Sequence, residues 1–251
     1  MLANNSSEDL FNPKNSEKKE KYARITLEKL FNELDMDLCD VAIFDATNST
    51  EKRRNFIFEG IRAYNSNKRG QQFQITPIAL QVTCSDKEFI KYNIHNKTFN
   101  QDYFDKPYEF AVQDFGKRLK HYYSQFVPLN KREFKHYLFD GTLSQDNSGL
   151  FFFNIINAGL LDTRELNCFH FPSQYSNAVG EVVNAFEYFV EHYAQMYGFQ
   201  YIERAKQFIN GTATVTQGDS RNVTNSSRIP YLAKLNEVIN EEYFNCLHQT
   251  A

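Results

Sequence analysis

The run Val41-Ala42-Ile43-Phe44-Asp45, followed by Ala46-Thr47-Asn48-Ser49-Thr50-Glu51-Lys52-Arg53-Arg54, limits the choice of fold more than any other stretch of this chain. Four apolar residues stop at an aspartate, and a polar turn leads into a doubly basic helix start. A short apolar run of that kind reads as a buried strand of a parallel sheet. In open α/β sheets, ligands sit just beyond the carboxyl ends of such strands, which puts Asp45 where chemistry occurs. Its carboxylate suits a magnesium ion or a hydroxyl proton, Thr47 suits a sugar hydroxyl, and Arg53 suits a phosphate. The same spacing also suits an Asp45 that only caps a helix, with Arg53 and Arg54 on a solvated face.

Two further apolar runs, 75–82 and 150–156, have the look of strands, the second closed by Asn157-Ala158-Gly159. Between them lie helical patterns. The first covers about 17–34, with Tyr22, Ile25, Leu27, Leu30 and Phe31 on one side. Others begin near Thr50, cover 86–93, and run from Pro107 to about Tyr123, with a long one over 178–197. Residues 130–149 read as irregular. Strands alternating with helices indicate an α/β fold with a mainly parallel sheet. The organisation expected is one domain over 1–209, a disordered polar linker over 210–229 and a C-terminal amphipathic helix over 230–251. That helix, with Leu232, Leu235, Val238, Ile239 and Phe244, would dock on the sheet or on a partner.

Composition narrows the classes. A net charge of −3 argues against a general nucleic-acid binder. No apolar run is long enough to span a membrane, and Met1–Glu20 lacks the hydrophobic stretch of a secretory signal, so the expected location is cytoplasmic. With 24 Phe and 15 Tyr but no Trp, the core should be rich in aromatic rings. The 4 cysteines (Cys39, Cys84, Cys168, Cys246) are scattered without a C-x-x-C pair, which makes a zinc site unexpected.

The 41–54 run resembles the Walker-B-like segment of the 6-phosphofructo-2-kinase family. The similarity continues through Cys84-Ser85-Asp86, Lys97 to Tyr103, Asp114-Phe115-Gly116-Lys117-Arg118 with Tyr122-Tyr123, and Pro128-Leu129. It extends more weakly over 151–159 and is strongest to the kinase-only form of budding yeasts. The resemblance implies a P-loop NTPase-like three-layer α/β/α fold. It also implies transfer of the ATP γ-phosphate to the 2-hydroxyl of fructose 6-phosphate, giving fructose 2,6-bisphosphate, a regulator of glycolysis. Such transfer is mostly positioning and charge neutralisation, so cations, carboxylates and hydroxyls matter most.

Carried over by motif, Asp45 is the catalytic or Mg²⁺-associated carboxylate. Thr47, Arg53, Arg118 and Tyr122 hold fructose 6-phosphate. Lys97 is the catalytic, ATP-phosphate lysine, and Asn93 is a weaker nucleotide contact. Arg118 and Tyr122 are one helical turn apart and share a face; by itself such a pair suits surface packing, with Asp114 as the arginine's partner. Cys84 matches a cysteine near the site and reads as a structural thiol. An arginine expected on the first helix has Tyr22 in its place, with Arg24 nearby.

The resemblance also implies a G-x-x-x-x-G-K-[ST] loop and its strand ahead of the Asp45 strand. This sequence contains no such motif. The expectation is therefore a chain lacking the N-terminal part of the kinase domain, its sheet incomplete there and its ATP binding weak. It contains no Arg-His-Gly either, so no fructose-2,6-bisphosphatase activity is expected. The alternative reading is a non-catalytic relative that binds sugar phosphate or a partner subunit.

Overall fold

The structure, a computed structural model, describes residues 16–67, 74–139, 150–160, 169–171, 175–211 and 228–249. The chain divides into two units, Met1–Ile75 and Thr76–Ala251, each described by itself.

The first unit is built on two helices, α1 (Ser16–Asp35) and α2 (Glu51–Ser66). Glu20 meets Arg53, Arg24 lies over the Phe56 ring, Leu27 faces Gly60, and Phe31 packs on Tyr64. Residue numbers rise together along both helices, so the two run parallel and residues 36–50 must return along their length. Gly60 permits the close approach, since a Cβ there would sit 3.0 Å from Leu27 Cδ2. Thr50 caps α2 by accepting the Arg53 backbone N–H at 3.2 Å. The Asn65 amide closes the unit by exchanging two hydrogen bonds with the Ile75 backbone, at 2.9 and 2.8 Å.

The expected strand at 41–45 does not form. These residues are extended but join no ladder, and Val41 and Ile43 are 54% and 84% exposed. The physical reason is that a strand exists only by hydrogen bonding to a neighbour, and no described strand lies beside this one. The helix α1 buries a narrower stripe than its pattern suggested: Ala23, Leu27 and Leu34 are buried, whereas Tyr22 and Ile25 face solvent.

The second unit holds the sheet. Strand β1 (Ile78–Thr83) pairs in parallel with β2 (Leu150–Ile156), in register from Ile78 opposite Phe151 to Thr83 opposite Ile156. The short β3 (Phe169–Phe171) adds to the other side of β2, antiparallel. The sheet is therefore mixed, order β1-β2-β3, with β2 in the centre. That position explains why Leu150-Phe151-Phe152-Phe153 needs no polar alternation: all four are buried.

Parallel β1 and β2 require a crossover. It consists of α3 (Lys87–Lys97), a short turn at Gln101–Tyr103, α4 (Tyr108–Gln125) and α5 (Lys131–Phe139). Residues 131–139, expected to be irregular, are helical because Asn130 caps two N–H groups and Phe134 and Tyr137 find burial. On one sheet face, Phe151 and Phe153 pack against Val179, Val183, Phe186 and Val190 of α6 (Asn177–Glu191).

The helix expected over 178–197 stops at Glu191, and a wide turn at Tyr193–Tyr197 leads into α7 (Phe199–Ile209). Gly198 sits at that junction because a Cβ there would fall 2.7 Å from the Tyr193 ring. The C-terminal helix is two helices, α8 (Arg228–Val238) and α9 (Glu241–Gln249), broken at Asn240, which caps α9 through the Tyr243 N–H. Both pack on α4 and complete a helical core, with Leu235, Ile239, Phe244 and Leu247 fully buried beside Ile94 and Val112. Most of the stretch read as a linker, 212–227, lies outside the described residues.

Candidate functional site

The residues singled out by sequence fall in both units. In the first, Asp45 and Thr47 are exposed on the returning segment, and neither side chain has a partner among the described residues. Arg53 stands in the first turn of α2 and points back to α1. Its Nε donates to Glu20 Oε2 at 3.1 Å and its Nη2 to Glu20 Oε1 at 2.7 Å, a two-pronged ion pair that holds the guanidinium in one orientation. Arg54 is buried rather than on a solvated face, and its Nη1 donates to the Asn48 carbonyl at 3.1 Å. Asn48 adopts a left-handed φ of +42°, which asparagine tolerates. Arg54 thus pins the turn that presents Asp45 and Thr47. Arg24, the nearest counterpart of the expected first-helix arginine, lies over the Phe56 ring at 5.1 Å.

In the second unit, the carboxyl ends of β1 and β2 are bound together by Asn157. Its Oδ1 accepts the backbone N–H groups of Ser85 and Asp86 at 2.7 and 3.0 Å, and its side-chain amide donates to Ser85 Oγ at 3.2 Å. Asn157, Ala158 and Gly159 all take positive φ, a tight reversal off the strand end. Asp86 in turn caps α3, accepting from the Glu88 and Phe89 N–H groups. The Tyr123 hydroxyl donates to the Cys84 carbonyl at 2.8 Å, fixing α4 to the end of β1. Burial pushes the Cys84 thiol up to about 11, so at neutral pH it is protonated and suited to packing rather than attack.

Lys97 ends α3 with its ammonium exposed and without an ion pair among the described residues. Asn93 is turned toward α7: its Oδ1 accepts the Tyr201 hydroxyl at 2.9 Å, and its NH₂ remains as a donor. Arg118 and Tyr122 are half-buried on α4. The Arg118 Nε pairs with Asp114 Oδ2 at 2.8 Å, and its guanidinium lies 5.5 Å over the Tyr103 ring. The Tyr103 hydroxyl donates to that same Asp114 Oδ2 at 2.7 Å. Burial first, then this hydrogen bond, pushes the Tyr103 phenol up and keeps it a donor.

Sequence reasoning missed Glu20, Asn157 and the arrangement around Tyr103. Glu20 and Asn157 are 33 and 71 residues from a partner, and no local spacing reveals such pairs. The Asp114–Arg118 spacing of four was the one usable signal.

A parallel strand pair, β1 and β2, joined by a helical crossover is consistent with the α/β fold of P-loop-type kinases. A sequence model of the family described as 6-phosphofructo-2-kinase matches residues 1–159. The chain belongs to the 6-phosphofructo-2-kinase family. It is 33% identical over 131 residues to 6-phosphofructo-2-kinase 1 of Saccharomyces cerevisiae, covering 51% of this chain and 15% of that protein. A probable 6-phosphofructo-2-kinase of Schizosaccharomyces pombe is 32% identical over 126 residues, covering 49% and 18%. The rat 6-phosphofructo-2-kinase/fructose-2,6-bisphosphatase 1 is 30% identical over 132 residues, covering 51% and 26%. The chain thus spans about a quarter or less of the length of these relatives. No described helix is long and apolar enough to cross a membrane.

Proposed function

We propose that this chain carries the sugar-phosphate side of a 6-phosphofructo-2-kinase, which makes fructose 2,6-bisphosphate from ATP and fructose 6-phosphate in the cytoplasm. The observation that carries the reading is Arg118 with Tyr122 on α4, inside a family match that spans them. The Arg118 guanidinium supplies the planar donor set that phosphate recognition requires, and Tyr122 adds a hydroxyl one turn away. Thr47 and Arg53, in the first unit, are the other residues that the family resemblance assigns to the sugar phosphate.

A magnesium ion fits the residues present, whereas ATP finds donors for its phosphates without the G-x-x-x-x-G-K-[ST] loop that would cradle them. Mg²⁺ takes one or two carboxylates and fills its other positions with phosphate and water, and the exposed Asp45 carboxylate is unengaged by any cation among the described residues. Bound there, the ion would neutralise phosphate charge. Lys97 offers an exposed ammonium for the transferring phosphate, and the Asn93 NH₂ offers a donor to the nucleotide. In keeping with the absence of Arg-His-Gly, we assign the chain no bisphosphatase activity.

A second reading, sugar-phosphate or partner-subunit binding without transfer, is favoured by the pairing of both substrate arginines with carboxylates, Glu20 and Asp114. Calorimetry with fructose 6-phosphate and an assay for ATP-dependent fructose 2,6-bisphosphate separate the two. The first reading expects both signals, the transfer at high ATP concentration because nucleotide binding is expected to be weak. Asp45→Ala should then remove most transfer and leave sugar-phosphate binding intact. Arg118→Ala should weaken that binding by about tenfold to a hundredfold, the worth of one charged hydrogen-bonding group. Binding without product supports the second reading, and no binding at all overturns both as far as the sugar phosphate is concerned.

A further inference from the structure

We propose that Asp114 and Tyr103 are positioning residues that aim the Arg118 guanidinium at the sugar phosphate; the inference rests on the sugar-phosphate reading above. An arginine side chain has several rotatable bonds, and freezing them on ligand binding costs affinity unless the protein has already done so. Here the freezing is complete on two sides. Asp114, one helical turn before Arg118, takes the Nε edge at 2.8 Å and fixes that edge of the guanidinium. The guanidinium carbon lies 5.5 Å over the centre of the Tyr103 ring, a cation–π contact that holds it on a second side.

The two supports brace one another. Tyr103 is buried, and its hydroxyl donates at 2.7 Å to the same Oδ2 that holds Arg118. One carboxylate oxygen therefore accepts from both groups and cannot leave one without loosening the other. Tyr103 also closes the loop that starts at Lys97: its N–H donates to the Asn100 carbonyl, and the Asn100 N–H donates to that of Lys97. The lysine assigned to ATP phosphate and the arginine assigned to sugar phosphate are thereby joined through Tyr103 and Asp114. Asp114 itself need not touch substrate; its charge orients Arg118.

Calorimetric titration of the full chain with fructose 6-phosphate tests this, with thermal melts run alongside. Asp114→Asn keeps the shape and removes the charge; it should weaken binding by about tenfold, the loss of one charged hydrogen bond. Tyr103→Phe keeps the ring and removes the hydroxyl, and should cost about threefold. Asp114→Glu restores a carboxylate and should recover most of the affinity lost in Asp114→Asn. Wild-type affinity in both Asp114→Asn and Tyr103→Phe overturns the positioning role while leaving the sugar-phosphate reading standing. A melting midpoint that falls with affinity in all three variants assigns the pair to folding and overturns it too. If the wild-type chain binds no fructose 6-phosphate, the underlying reading falls, and this inference with it.

Discussion

Val41-Ala42-Ile43-Phe44-Asp45 and the run 150–157 (Leu150 to Ile156, then Asn157) carry the same kind of message, a short, largely apolar run rich in β-forming residues and closed by a polar one. They end in opposite states. Phe153 is 1% exposed at the centre of a sheet, whereas Ile43 is 84% exposed on an unpaired segment. The difference teaches that apolar pattern specifies a wish for burial, not its fulfilment. Strand β2 has a hydrogen-bonding neighbour on each side and α6 over one face. Residues 41–45 have the parallel helices α1 and α2 but no ladder.

The largest expected effect would break that comparison if it failed. Phe153→Ala, which removes a ring stacked on Phe186 at 5.6 Å, should destabilise the second unit by about 3–5 kcal/mol. Ile43→Ala should change stability by no more than about 0.5 kcal/mol. Chemical denaturation of both variants measures the contrast, and a comparable loss at Ile43 would mean that 41–45 is a packed strand in solution.

A smaller effect concerns how each strand end is held. Asn157→Ala removes the acceptor for two backbone N–H groups at the carboxyl edge of the sheet, an expected loss of about 1–3 kcal/mol. Hydrogen exchange at the Ser85 and Asp86 amides should accelerate in the same variant. The helix caps provide a like-for-like test across the two units. Thr50→Ala and Asp86→Ala each remove a side-chain cap, at the starts of α2 and α3, and each should cost about 1 kcal/mol in denaturation midpoints.

The smallest effect is alkaline. Burial lifts the Cys84 thiol from 9.0 to about 11 and the Tyr201 phenol from 10.0 to about 12. The folded chain holds both protons more tightly than the unfolded one. The resulting stabilisation is complete below pH 9 and is lost between 9 and 11 for Cys84, with Tyr201 following between 10 and 12. Melting temperatures should fall across this range, and the fall should begin later in Cys84→Ser.

Much of the fold was legible because its signals are local. Thr50, Asp86 and Pro107 mark helix starts by chemistry that depends on neighbouring N–H groups alone, and the apolar run 150–156 announces a strand. The relative placement of Arg118 and Tyr122 was legible for the same reason, since helical spacing fixes them relative to one another on α4. The α6–α7 junction was not, because Gly198 is needed only once the Tyr193 ring folds back against it. Nor was α5, whose short pattern gains its buried positions from the rest of the unit.

By itself, the sequence determined the α/β class, the helix boundaries set by caps, and the residue types that suit phosphate chemistry. Tertiary structure alone decided which arginine is buried on a backbone carbonyl and which is paired with a carboxylate. Arg53 and Arg54 are adjacent and chemically identical, yet one is clamped by Glu20 and the other sealed onto the Asn48 carbonyl. It also decided that the run at 41–45 stays unpaired. Both outcomes depend on partners distant in the chain, and a local pattern states what a residue can do without stating what will stand beside it.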